Sequence, residues 1–150
     1  MIRRVGLPPD RTIRYRLRPG AYAILPHGGA LLLTRQLDSD EALQLPGGGI
    51  DPGESPLTAL HREVFEETGW RIAAPRRIGA FRRFVFMPDY GFWAEKLCTV
   101  YLARPTSRIG PPSEPHHEAL FAGVSTALRD LGNTGDKRMV ALAYRRGWIT

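Results

Sequence analysis

Apolar and polar positions alternate most regularly near the N terminus, where Ile13, Tyr15 and Leu17 interleave with Arg14, Arg16 and Arg18. A period of two is that of a half-exposed strand, so Thr12 to Arg18 reads as a strand with one basic face. Pro19-Gly20 then marks a turn or bulge. Two apolar runs, Ala21 to Leu25 and Ala30 to Arg35, flank Pro26-His27-Gly28-Gly29 as the arms of a hairpin. Leu43 to Leu45 is a short apolar piece ahead of Gly47-Gly48-Gly49. The period becomes helical over Pro56 to Thr68. There Leu57, Leu60 and Val64 form an apolar stripe, Ser55 is placed as the N-cap, Pro56 suits the first helical position and Gly69 suits the exit. Ile78 to Met87 and Lys96 to Ala103 are strand-like, Ala119 to Val124 is a further short strand, and Asp136 to Arg146 is a terminal helix. Pro105 to Pro115 reads as a surface loop. Strands and helices interleave without an internal repeat, the pattern of an α/β chain.

The 150 residues fit one globular domain, 1–150, with 43% hydrophobic residues and a net charge of +6, which excludes a disordered or low-complexity chain. The single cysteine, Cys98, excludes an internal disulfide framework and a cysteine-rich zinc site. No apolar run approaches the roughly 18 residues that span a bilayer. The N-terminal residues carry Arg3, Arg4 and Asp10 where a signal peptide has its apolar stretch. A soluble, cytoplasmic protein without a membrane partner is the expectation. The charge is carried by 19 arginines against Lys96 and Lys137, and guanidinium forks suit phosphate oxygens.

Glu63, Glu66 and Glu67 stand at i, i+3 and i+4, which crowds three carboxylates onto one arc of the central helix. Like charges at that spacing cost about 0.2–0.5 kcal/mol per pair, and the neighbouring Arg62 can compensate one of them. Oxygen ligands on a rigid element suit a hard divalent ion, Mg²⁺ or Mn²⁺, of the kind that bridges substrate phosphates. Upstream, Gly47 to Gly49 removes side chains so that backbone can approach a ligand, and Pro52-Gly53 closes a turn before Glu54.

Gly48, five residues, Glu54, seven residues, Arg62-Glu63-Val64, one residue, Glu66-Glu67, one residue, Gly69-Trp70 resembles the 23-residue box of the Nudix hydrolases, here at 48–70. Seven fixed positions at about 7% each coincide by chance on the order of 10⁻⁸ per starting point. Trp70 stands where the family more often has a bulky aliphatic residue. The resemblance implies an α/β/α sandwich around a mixed sheet. It implies that Glu63, Glu66 and Glu67 bind the catalytic ions with a backbone carbonyl from the Gly48 region, that Glu54 is an outer or additional ligand, and that Arg62 orients the carboxylates. The implied reaction breaks a phosphoanhydride bond in a nucleoside diphosphate linked to another group: a nucleoside triphosphate, nucleotide sugar or dinucleoside polyphosphate. Such chemistry relies on positioned water and on charge spread over metal ions. A homodimer is compatible with it.

Outside the box, Glu118 is the expected further carboxylate, as general base or extra metal ligand, since the family often supplies one from a late loop or strand; Glu95 is a weaker rival. His116 and His117 read as solvated, and His61 lies away from the glutamates. Candidate substrate contacts are Arg16, Arg35 and Arg82 for phosphate and Tyr90 and Trp93 for base stacking, whereas Phe84 and Phe86 read as sheet packing. Two rival functions are a 5′-end RNA pyrophosphohydrolase with the arginine-rich strand as a track, and a nucleotide-sensing domain without turnover. Dispersed basic residues argue against the first, and intact glutamates against the second.

Overall fold

A computed structural model describes residues 2–38 and 43–150. Its frame is a long hairpin of β6 (Trp70–Met87) and β7 (Phe92–Arg108), in a sheet that also holds β1 (Arg3–Arg4), β2 (Arg16–Ile24) and β5 (Gly47–Gly49). The strand order is β1-β6-β7-β2-β5, with β1 parallel to β6, β2 parallel to β7, and the other neighbours antiparallel. A second, antiparallel sheet holds β3 (Pro26–His27), β4 (Ala30–Gln36) and β8 (His117–Ala122). Helix α1 (Pro56–Thr68) precedes β6, and α2 (Val124–Asp130) and α3 (Thr134–Arg145) follow β8.

Strand alternation divides the larger sheet into two faces. Ala21, Ala23, Tyr101 and Ala103 pack on Leu60 and Val64 of α1, whereas Ile24, Cys98, Val100 and Phe81 pack towards Met139, Val140 and Ala143 of α3. This is the expected α/β/α sandwich around a mixed sheet. Ring edges of Phe81 fill the space where Gly135 of α3 lacks a Cβ, so that helix sits close on β6.

Several boundaries differ from the sequence reading. The first long strand begins at Arg16, not Thr12, and runs through Pro19-Gly20 without turning. Proline cannot donate to a ladder, but a Cβ at Gly20 would lie 2.8 Å from the Tyr22 ring, so the glycine is there for close packing. Ala21 to Leu25 is not the partner arm of Ala30 to Arg35. The tight turn is where it was expected, with Gly28 and Gly29 at positive φ, but its arms are β3 and β4. β6 and β7 extend well past the apolar cores of their patterns, so Pro105 lies in a strand opposite Ile72. Val124 opens α2 rather than ending a strand. In α1, Leu60 and Val64 are fully buried but Leu57 is 43% exposed; Ala59 takes its place in the buried stripe.

Candidate active site

The site is assembled on α1 and β5. Ser55 Oγ accepts from Thr58 N at 3.1 Å to start the helix, and Gly69, at φ 75°, ends it. Between these stops the helix presents Arg62, Glu63, Glu66 and Glu67 towards the glycine strand. A Cβ on Gly48 would lie 2.6 Å from Cδ of Glu63, so only glycine lets that carboxylate meet the strand. Glu67 is buried, and its Oε1 accepts from Gly47 N at 3.0 Å.

Arg62 ties these groups together. It donates to both carboxylate oxygens of Glu54 at 2.8 Å, to Glu63 at 3.0 Å, to Glu66 at 3.3 Å and to the Gly49 carbonyl at 3.1 Å. The bonds from Arg62 hold the Glu54 carboxyl well below the usual range. Burial has the opposite effect on Glu67, whose carboxyl is pushed up to about 8 against the Gly47 bond, and repulsion from Glu63, Glu114 and Glu66 adds to it. Glu63 is raised too, first by burial. The buried Glu67 carboxylate, the half-buried Glu63 and Glu66 beside it and the carbonyls of the glycine strand supply hard oxygen donors of the kind that suits a divalent ion. Among the described residues no three carboxylate or imidazole side chains already converge as a cation site; the Arg62 guanidinium lies among Glu54, Glu63 and Glu66.

The other expected residues are dispersed. Glu118 pairs across the strands with Arg35, their side chains 3.9 Å apart and about half exposed. Alternation along β8 aims His117 at the helix instead, and its Nε2 lies 3.4 Å from Glu67 Oε2. His117 is therefore not the solvated residue expected. Glu114, on the exposed loop before β8, is a late carboxylate near enough to raise Glu63 and Glu67. Its loop is held by Ser113 N and Glu114 N, which both donate to the Glu66 carbonyl. Sequence spacing alone does not separate Glu114 from Glu118.

Arg16 and Tyr90 lie together on the sheet face opposite α1. The Arg16 guanidinium stands 4.6 Å over the Phe92 ring, Arg18 stands 4.9 Å over Tyr90, and Tyr90 stacks on Phe92 at 5.8 Å. Arg18 also reaches Gly49, whose Cβ would lie 3.4 Å from its Nη2. Arg18, not among the expected substrate contacts, belongs to the same alternating basic face as Arg16. Arg82 and Trp93 are on the other face: Arg82 pairs with Glu95 at 3.1 Å and Trp93 packs on Tyr15 and Phe86. Arg35 is in the second sheet. Phe86 is 46% exposed rather than packed away. His61 is exposed, as expected.

The profile of the NUDIX domain matches residues 14–143. The chain belongs to the Nudix family. It is 42% identical over 59 residues to an RNA pyrophosphohydrolase of Helicobacter pylori, a match covering 36% of this chain and 38% of that protein. It is 36% identical over 70 residues to a putative 8-oxo-dGTP diphosphatase of Bacillus subtilis, covering 47% of each. The chain thus spans less than half the length of these curated relatives. In fold it is similar to a Nudix hydrolase from Nitrosomonas europaea, with a TM-score of 0.69 at 20% identity over 88% of this chain and 90% of that one. No helix among the described residues is long and apolar enough to cross a membrane.

Proposed function

We propose that this Nudix domain hydrolyses a phosphoanhydride bond in a nucleoside diphosphate linked to another group, and that it requires Mg²⁺ or Mn²⁺. The observation that carries the reading is the convergence of Glu63 and the buried Glu67 on the side-chain-free strand Gly47–Gly49, with Arg62 fixing the surrounding carboxylates. Glu63, Glu66 and Glu67, with a carbonyl of the Gly48 region, would hold the ion, and Glu54 would act through Arg62. The bound ion would supply Lewis-acid stabilisation of phosphate charge. Arg18, next to Gly49, is placed to grip a substrate phosphate by its guanidinium fork. Glu114 takes the role expected of Glu118, orienting or deprotonating the attacking water, because its loop is bonded to the Glu66 carbonyl and its charge reaches Glu67, while Glu118 pairs with Arg35. A free, buried Cys98 is in keeping with a reducing compartment such as the cytoplasm.

A second reading, hydrolysis at the 5′ end of RNA, is favoured by the Arg16–Phe92 and Arg18–Tyr90 stacks, since alternating guanidinium and aromatic planes suit unstacked bases. The relatives named as RNA pyrophosphohydrolases point the same way.

The test is a panel of nucleoside triphosphates, nucleotide sugars, dinucleoside polyphosphates and a 5′-triphosphorylated RNA, each with Mg²⁺ and with EDTA, run in ¹⁸O water and read by product mass. Metal-dependent release of an ¹⁸O-labelled phosphate or nucleotide is expected. Glu114→Gln should lower kcat about 10²-fold to 10⁴-fold, the scale of losing a general base, while Glu118→Gln stays near wild type. Turnover that persists in EDTA, or the reverse order of the two variants, overturns the respective assignment.

A further inference from the structure

The far end of the β6–β7 hairpin places Phe84, Phe86 and Trp93 outside both core clusters, on a surface that the active site does not use. On the α1 side of the sheet, Trp93 precedes the α1-covered Tyr101 by eight residues, about 26 Å of strand. There Phe84 meets Tyr15 at 4.9 Å, Tyr15 meets Trp93 at 6.1 Å and Trp93 meets Phe86 at 5.4 Å. Phe86 is 46% and Trp93 40% exposed, and Leu17, on the same face, 59%. Such a contiguous aromatic surface is unusual on a protein without a partner.

Beside it, β1 lays Arg3 and Arg4 against Phe81 and Arg82. An open depression of about 540 Å³ is lined by Ile2, Arg3, Arg4, Pro9, Arg82 and Phe84. Glu95 bonds one nitrogen of Arg82, whose Nε is buried without a partner among the described residues. The patch therefore combines stacking faces with a surplus of guanidinium groups. A second copy of this chain, itself at +6, would bring like charge to that surplus.

We propose that this end of the sheet binds single-stranded RNA: bases stack on Trp93 and Phe86, and phosphates lie on Arg3, Arg4 and Arg82. Aromatic faces accept any base, and guanidinium groups follow the backbone. The Arg16–Phe92 and Arg18–Tyr90 stacks lie at the same hairpin end on the opposite face, so one strand can run from Gly49 over the tip to this patch. The proposal rests on the nucleotide hydrolase reading above and selects a polynucleotide among its substrates.

The experiment separates binding from turnover. Fluorescence anisotropy of a labelled 12-nucleotide 5′-monophosphorylated RNA, in EDTA, gives Kd and its salt dependence for wild type, Trp93→Ala, Phe86→Ala and Arg4→Ala. Hydrolysis of nucleoside triphosphates and dinucleoside polyphosphates with Mg²⁺ is measured in parallel. Each aromatic truncation should weaken RNA binding about tenfold, within the range of one lost stack, and Arg4→Ala should reduce the slope of log Kd against log salt by about 0.7. Small-substrate turnover should not change. Unaltered Kd and slope in all three variants overturn the proposal, as does a wild-type dimer that sediments as monomer when Trp93 is truncated, which would make the patch an interface between copies. If RNA binds as expected but no small substrate is hydrolysed, the surface stands and the catalytic reading falls.

Discussion

Glu67 faces opposing demands, since a metal ligand must be ionised yet this side chain is buried. Its carboxyl, pushed up to about 8 from an ordinary 4.5, binds a proton more tightly in the folded state than in the unfolded one. By linkage the metal-free fold loses stability as pH rises from 4.5 to about 8, and the full cost remains above that window. Glu67→Gln keeps an oxygen that can accept from Gly47 N and removes the charge. The expected result is a higher melting temperature for the metal-free variant above pH 8, with the gain shrinking to nothing below pH 4.5. Its kcat should fall at least about 100-fold, the scale of losing a group that stabilises transition-state charge. Thermal unfolding in EDTA across pH tests the first half, and equal melting temperatures at pH 8.5 would show that Arg62 and its neighbours already neutralise the burial cost.

Helix α1 is the element on which the site depends, because its buried stripe decides where the glutamates point. Leu60 is fully buried among Ala21, Ala23, Leu25 and Leu32. Leu60→Ala should therefore cost about 2–5 kcal/mol, seen as a lower denaturation midpoint, while the activity of the remaining folded protein stays near wild type; an unchanged midpoint would mean the stripe is not the anchor. This helix was legible in the sequence, caps included, because Ser55, Pro56 and Gly69 act through local backbone chemistry that needs no tertiary partner. Leu57 was misplaced because the first turn of a helix can leave the core even when its spacing fits. The strands were legible only where their alternation was clean. Pro19-Gly20 has the composition of a turn, yet β5 and β7 on either side hold it extended, and the ends of β6 and β7 are strand only because each supplies the other's ladder. Non-local pairing also explains the scattered substrate residues. Arg16, Arg82 and Trp93 are alike as sequence candidates, and which side of the sheet each one meets is fixed by register, which the chain's own spacing does not reveal.

Across the whole molecule, Asp136 links the two sides of the fold. It lies in the first turn of α3, fully buried, and accepts from Leu45 N at 3.3 Å, two residues before the glycine strand. Its own N donates to Asn133 Oδ1 at 2.8 Å. The terminal helix thereby holds the approach to the active-site strand through one carboxylate. Burial pushes that carboxyl up to about 6 from 3.8, opposed by the Leu45 bond and by the charges of Arg83 and Lys96, and its charge in turn adds to the burial that raises Tyr22 and Cys98. A folded-state value above the unfolded one means that protonation favours the fold, so this contribution is intact below pH 3.8, falls as pH rises to about 6, and stays lost at neutral pH. Asp136→Asn retains an acceptor for Leu45 N while removing the charge. It should raise the urea midpoint at pH 7.5 and leave it nearly unchanged at pH 4, where the wild-type group is already neutral. A variant that is less stable at pH 7.5 would show that attraction from Arg83 and Lys96 outweighs burial, and that the ionised Asp136 helps hold α3 to the site.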